Sequence, residues 1–138
     1  MPRKRVVIIG GVAGGASCAA RLRRLDEQAE ILLLDRGPYV SFANCGLPYY
    51  VGNVIRDEAK LLVSTPQLFH ERFNIEVRTR NEVTSIDREA CEIVVRELST
   101  GAEYRERYDA LVLSPGAAPI RPALPGIDLP GIFTLRTV

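Results

Sequence analysis

Four consecutive β-branched residues, Val6-Val7-Ile8-Ile9, run straight into Gly10-Gly11-Val12-Ala13-Gly14-Gly15 and then into an alanine-rich stretch. Few folds accept that order. A continuous β-branched run ended by glycine reads as a parallel strand buried on both faces, here residues 5–9. Residue 13 to about residue 25 reads as a helix, with Ala16, Ala19, Ala20 and Leu22 as small packing residues. Arg21, Arg23 and Arg24 fall near its C-terminal end, where positive charge suits the helix dipole and the last carbonyls need donors. A second strand spans 30–35 and is broken by Gly37-Pro38. The right-handed crossover then sets the two strands side by side and parallel.

The remainder is less regular. Cys45 and Gly46 open a short helix whose path Pro48 is expected to disturb. Pro66 suits the first turn of another helix through 67–72, capped by Thr65 or Ser64. Residues 75–78 alternate like a half-exposed strand, and 82–86, 92–97 and 103–108 read as an antiparallel meander turned at Ser99-Thr100-Gly101. Residues 108–113 return to the buried parallel type and stop at Ser114-Pro115-Gly116. The proline-spaced tail from Pro119 reads as extended surface, and 131–138 as a strand or linker. The fold expected is α/β: a partial Rossmann-like nucleotide-binding domain whose parallel sheet carries an inserted antiparallel β-meander. Two or three parallel strands do not complete a doubly wound sheet, so the chain reads as a fragment.

Composition narrows the function classes. A net charge of +1 gives no electrostatic case for nucleic acid or an anionic membrane. Arg3-Lys4-Arg5 reads as a solvated start to the first strand. The apolar runs are strand-sized, far below a membrane span, and no separable cleavage region follows Met1. Cys18, Cys45 and Cys91 are odd in number, widely spaced and without a C-x-x-C, which fits a reducing compartment; cytoplasm is the default. With His70 the only histidine, no metal site is expected, and His70 reads as a surface or helix-packing residue. Cys18 reads as a packing residue and Cys91 as inert.

The chemistry concentrates in two places. The dinucleotide fingerprint asks for G-x-G-x-x-G between strand and helix. Gly10 and Gly15 hold its outer positions, Val12 replaces its middle glycine, and Gly11 and Gly14 keep the loop unencumbered. Backbone N–H groups at the helix start, around Ala13, face an anion with positive dipole character. Asp35 ends the second strand about 20 residues later, where a carboxylate accepts from ribose hydroxyls. Gly116 lets a second loop approach the same ligand. The other place is Ser41-Phe42-Ala43-Asn44-Cys45-Gly46-Leu47-Pro48-Tyr49-Tyr50. A helix N-terminus favours the thiolate of Cys45, while Ser41 and Asn44 offer hydrogen bonds to it.

These two segments, together with Arg23-Arg24-Leu25-Asp26, resemble the N-terminal part of the single-cysteine pyridine nucleotide–disulfide oxidoreductases. The likeness is greatest to coenzyme A-disulfide reductases and NADH-dependent persulfide reductases, in which Val12 is itself usual. The resemblance implies that the glycine turn, Asp35 and Arg36 bind the ADP half of FAD. It places Val83 where backbone meets adenine, and Ser114, Pro115 and Gly116 in a flavin-domain loop. Cys45 would be the redox nucleophile set against the flavin, with Ser41 and Asn44 beside it. Ser17, Arg21 and Arg24 fall at positions contacting coenzyme A, and Phe73 where a substrate-contacting lysine is found.

The resemblance further implies NAD(P)H as co-substrate, a small-molecule disulfide or persulfide as substrate, and a homodimeric full-length enzyme. Residues 1–138 would be the first portion of its FAD-binding domain, without the NADH-binding domain, second FAD segment or dimerisation domain. Two alternatives stay open: an NADH oxidase or peroxidase cycling through cysteine sulfenic acid, and a non-catalytic nucleotide-binding fragment.

Overall fold

The structure, a computed structural model, describes residues 3–138. Strand β1 (Arg5–Ile9), helix α1 (Ala13–Leu25) and strand β2 (Glu30–Leu34) form the expected βαβ unit. β1 and β2 are parallel and in register, from Arg5 opposite Glu30 to Ile9 opposite Leu34. A 3-10 turn over Asn44–Gly46 leads into the short helix α2 (Leu47–Val51), and a second such turn spans Glu58–Leu61. Helix α3 (Pro66–Phe73) starts on the Thr65 hydroxyl, which accepts from the Leu68 amide at 3.2 Å, and ends at Asn74 in the left-handed region. Strand β3 (Glu76–Arg78) follows, then the meander β4 (Asn81–Asp87), β5 (Glu92–Glu97) and β6 (Glu103–Arg107), and last β7 (Ala110–Leu113).

Two sheets result. The parallel one has the order β3-β2-β1-β7, and the antiparallel one the order β4-β5-β6. The parallel sheet thus has four strands, more than the sequence reading counted, because the 75–78 segment docks beside β2 as β3. Period-two alternation along β1 and β2 sorts the core into layers. Val6, Ile8, Ile31 and Leu33 pack against Ala16 and Ala19 of α1 and Phe69 of α3. Val7, Leu32 and Leu34 face the other way and meet Ile93 and Val95 of the meander. Helices therefore cover one face of the parallel sheet and the antiparallel sheet covers the other. A third cluster, built on Phe42, Leu47 and Leu61, gives the 39–62 excursion a small core of its own.

Three expectations need correction. Pro48 does not disturb a helix; it occupies the first turn of α2, where its missing N–H costs nothing. β7 is parallel to β1 but not buried, since Leu111 and Val112 are half-buried and Leu113 is exposed at the outer edge of the sheet. Residues 131–138, expected as a strand or a linker, form no strand, so the linker alternative stands. Arg5 is not a solvated strand entrance: its guanidinium is half-buried and pairs with Glu30 at 2.8 Å and with Glu106.

Glu106 also accepts from Arg78 at 2.6 Å, so one carboxylate on β6 clamps β1 and β3 together across the two sheets. Burial alone would lower the Arg78 pKa. Hydrogen bonds to Tyr104, Glu106 and Glu76 outweigh it and raise the value above the ordinary arginine range, so Arg78 stays charged.

The three arginines of α1 divide sharply. Arg23 donates to the carbonyls of Phe73 (2.7 Å), Asn74 (2.8 Å), Glu27 (2.8 Å) and Asp26 (3.2 Å). One side chain thereby caps α1 and latches it to the end of α3. Arg21 and Arg24 are exposed, and no ion pair among the described residues engages either. Truncation of Arg23 strips donors from four carbonyls at once. Arg23→Ala is expected to lower unfolding stability by about 2 kcal/mol, whereas Arg24→Ala stays within about 0.5 kcal/mol, both read by urea denaturation.

Candidate functional site

The glycine turn brings β1 and α1 closer than any side chain permits. A Cβ on Gly15 would lie 1.7 Å from the Gly10 carbonyl oxygen, and one on Gly10 would lie 2.0 Å from that of Ser114. Gly10 has φ +92°, a conformation that glycine adopts without strain. Helix α1 consequently starts at the C-terminal edge of the parallel sheet. Its N-cap, Val12, makes no side-chain capping bond, and its first turn holds no acidic residue. The first amides of α1 therefore have no side-chain acceptor from the N-cap.

A cleft of about 480 Å³ opens in front of that helix start. Gly10, Val12, Ala13 and Gly14 form its floor, and Asp35 and Arg36 enter from the end of β2. Val83 comes from the meander, and Ser114, Pro115 and Gly116 from the loop after β7. Asn44 closes the side nearest the excursion. These predicted residues thus share one cavity although they are spread over a hundred positions. Gly15 does not line it and serves the helix–strand contact instead. Val12 both lines the cleft and packs against the Phe42 cluster.

Asp35 does more than face the cavity. Its Oδ2 accepts from the Gly11 amide and its Oδ1 from the Gly37 amide, both at 2.7 Å. Each oxygen keeps a second lone pair, so the carboxylate can brace the loop and still accept from a ligand. Arg36 is exposed and 4.0 Å from Glu82 across the rim.

Cys45 lies just outside the cavity, in the 3-10 turn whose first residue, Asn44, lines it. The thiol is exposed and unpaired with another cysteine. Backbone bonds fix this loop: Ser41 N donates to Gly11 O (2.8 Å), Ala43 N to Leu61 O (2.7 Å), and Val63 N to Ser41 O (2.9 Å). Ser41 has φ +50°, an uncommon conformation for a side-chain-bearing residue, and does not line the cleft. Ser17, Arg21 and Arg24 recur at i, i+4 and i+7 on one exposed face of α1, also outside the cleft. Phe73 is half-buried in the helical core, with its ring centroid 6.1 Å from that of Phe69. Cys18 packs against the same core, whereas Cys91 and His70 are exposed.

The sequence reading missed the far wall. Arg136, Thr137 and Val138 line the cleft, and Arg136 Nε donates to the Ala117 carbonyl at 2.7 Å. Its guanidinium lies against Gly116, where a Cβ would meet Nη2 at 2.6 Å. No periodicity announces that contact, because an irregular tail delivers it. Among the described residues no helix is long and apolar enough to cross a membrane, and no group of three or more His, Cys, Asp or Glu residues is placed to hold a metal ion.

The profile of the family described as "Pyridine nucleotide-disulphide oxidoreductase" matches residues 4–138. The chain belongs to that family. It is 46% identical over 114 residues to the coenzyme A disulfide reductase of Staphylococcus epidermidis, a match covering 83% of this chain and 26% of that protein. Reduced CoADR-RHD of Bacillus anthracis superposes with a TM-score of 0.88 at 52% identity, over 92% of this chain and 23% of the other. An NAD-dependent persulfide reductase from A. fulgidus gives 0.83 at 38% identity, over 90% and 23%. The chain spans about a quarter of the length of the curated relatives it matches.

Within this oxidoreductase fold the two glycines in the first turn of α1 differ in what a methyl group would meet. Gly15→Ala drives a Cβ into the fixed Gly10 carbonyl and is expected to lower stability by about 3 kcal/mol. Gly14→Ala meets only the Ser114 side chain, its movable hydroxyl at 3.3 Å and its Cβ at 3.6 Å, and gains helix propensity, so its thermal midpoint is expected to match or exceed the parent's.

Proposed function

We propose that this chain is the first part of the FAD-binding domain of a longer flavoenzyme that reduces coenzyme A disulfide or a persulfide with NAD(P)H, using Cys45 as its one redox thiol. One observation carries the reading: an uncapped helix start, a braced carboxylate and the turn bearing an exposed cysteine converge on a single cleft.

The residues present fit a dinucleotide. Amides at the start of α1 suit a pyrophosphate, and Asp35 keeps lone pairs for ribose hydroxyls. Val83 offers backbone on the adenine side, while Asn44 and the 114–116 loop border the opposite end. FAD bound there would accept hydride from NAD(P)H and supply two electrons to the site. Cys45 does the sulfur chemistry. Its thiolate attacks one sulfur of the substrate disulfide, forming a mixed disulfide and expelling the first thiolate. Two electrons and a proton then cleave the mixed disulfide, restoring the Cys45 thiolate and releasing the second thiol. With a persulfide attacked at its inner sulfur, the first group expelled is hydrosulfide. Exposure of Cys45 suits a substrate that arrives from solvent, and in this reading Ser41 and Asn44 serve the reacting sulfur. Arg21 and Arg24, left free by the Arg23 latch, offer a basic face to the phosphates of coenzyme A. The working enzyme is a cytoplasmic homodimer in this reading.

Cys45→Ser in the full-length protein is expected to keep the yellow flavin spectrum and to lose essentially all NAD(P)H-dependent reduction of coenzyme A disulfide and persulfide. Normal turnover by that variant would overturn the proposal. Oxygen consumption faster than disulfide turnover in the parent enzyme would favour an oxidase cycling through sulfenic acid instead. The 138-residue chain purified alone is expected to hold FAD weakly or not at all and to show no turnover.

A further inference from the structure

Asn81 is the one buried polar side chain among the described residues, and it stands in the wall of the cleft. Its amide nonetheless serves the protein. Nδ2 donates to the Thr79 carbonyl at 2.8 Å, and Oδ1 accepts from the Tyr104 hydroxyl at 2.7 Å. That hydroxyl in turn accepts from Arg78 Nη1 at 3.2 Å, and the Arg78 guanidinium lies 5.4 Å from the Tyr104 ring centroid. Tyr104 is on β6 and does not line the cleft.

These bonds hold a corner that the backbone alone leaves strained. The chain turns from β3 into β4 within two residues, and Arg80 takes φ +57° to do so. The same corner is stitched to the cleft's other wall by three backbone bonds, each 3.0 Å: Asp35 N to Arg78 O, Asn81 N to Asp35 O, and Arg80 N to Gly37 O. Asp35 passes the connection on to the Gly11 amide. Glu82 and Val83, which border the cavity, follow directly from Asn81. A continuous run of hydrogen bonds therefore links the meander to the glycine turn.

We infer that Tyr104 and Asn81 are positioning residues for the nucleoside end of the cleft. They act through the 78–81 corner, setting where Val83 and Asp35 present themselves to a bound adenosine, Tyr104 from outside the cleft and Asn81 from its wall. This rests on the dinucleotide reading above and deepens it: the antiparallel meander becomes a part of the binding apparatus, with Tyr104 as its anchor. The geometry separates the two ends of the ligand, because the corner contacts Asp35, Gly37 and the meander but not the 114–116 loop.

The test uses the full-length protein freed of flavin. Tyr104→Phe keeps the ring and its packing but leaves the Asn81 carbonyl buried without a donor. ADP affinity, measured by calorimetric titration, is expected to fall by about tenfold, with FAD falling in parallel and FMN unchanged. Asn81→Ala is expected to repeat the pattern, and amide exchange at Glu82 and Val83 should quicken in both flavin-free variants. Unchanged ADP affinity in Tyr104→Phe would overturn the inference, as would equal losses for ADP and FMN, which report general loosening. A parent protein that binds neither FAD nor ADP would overturn the dinucleotide reading itself and this inference with it.

Discussion

Only a hydrogen atom separates Gly15 of α1 from the carbonyl of Gly10, and the rest of the site follows from that approach. A helix held this close to the end of β1 must begin at the sheet's C-terminal edge. Its amides then open into the space between β2 and β7. Ser114 presses on the other side of the same turn, so β1, α1 and the loop after β7 meet around a point where no Cβ fits. The cleft is the volume these elements cannot fill. Its walls come from distant segments because only the strand ends and their following loops reach that edge.

Stability on either side of the turn comes from different sources. Behind it, apolar alternation along β1 and β2 buries Val7, Ile8 and Leu33 completely between helices and meander. Along the face that meets the meander, Glu106 joins Arg5, at the start of β1, to Arg78, at the end of β3, in a partly buried ionic cluster. Such a cluster adds less net energy than the apolar layers, since desolvation offsets much of the attraction. What it contributes is placement, fixing the angle at which the antiparallel sheet lies across the parallel one. That angle carries Val83 to the cleft.

The local signals were legible because they act over a few residues. β-branched runs, the glycine turn, Thr65 before Pro66 and the Ser99-Thr100-Gly101 turn each reduce to propensity or capping, and each lies where expected. Misreadings came where a residue's state depends on what packs against it. Residues 110–113 have the composition of a buried strand, yet β7 borders the sheet and stays half-exposed. Arg5 looks like any basic flank until Glu106, a hundred positions away, reaches it. Arg136 enters the cleft on a tail without periodicity, and the Tyr104–Asn81 bond spans two strands whose pattern speaks only of alternation. Of three similar arginines on α1, nothing in the sequence singles out Arg23 as the latch, because its partners are carbonyls of another helix's end.

The placement of Cys45 follows the same division. Burial does not hold it, since the thiol is exposed. Its loop is instead tied by backbone bonds in the residues just before it: Ser41 to the glycine turn and Ala43 to the 58–61 turn. Ser41 must enter the left-handed region to make its bonds in both directions, and that cost is repaid by Phe42, which seeds the excursion's own core. A cysteine held this way stays just outside the cleft while its side chain remains open to solvent. A packed cysteine would have the first property without the second, and one on a free loop the second without the first.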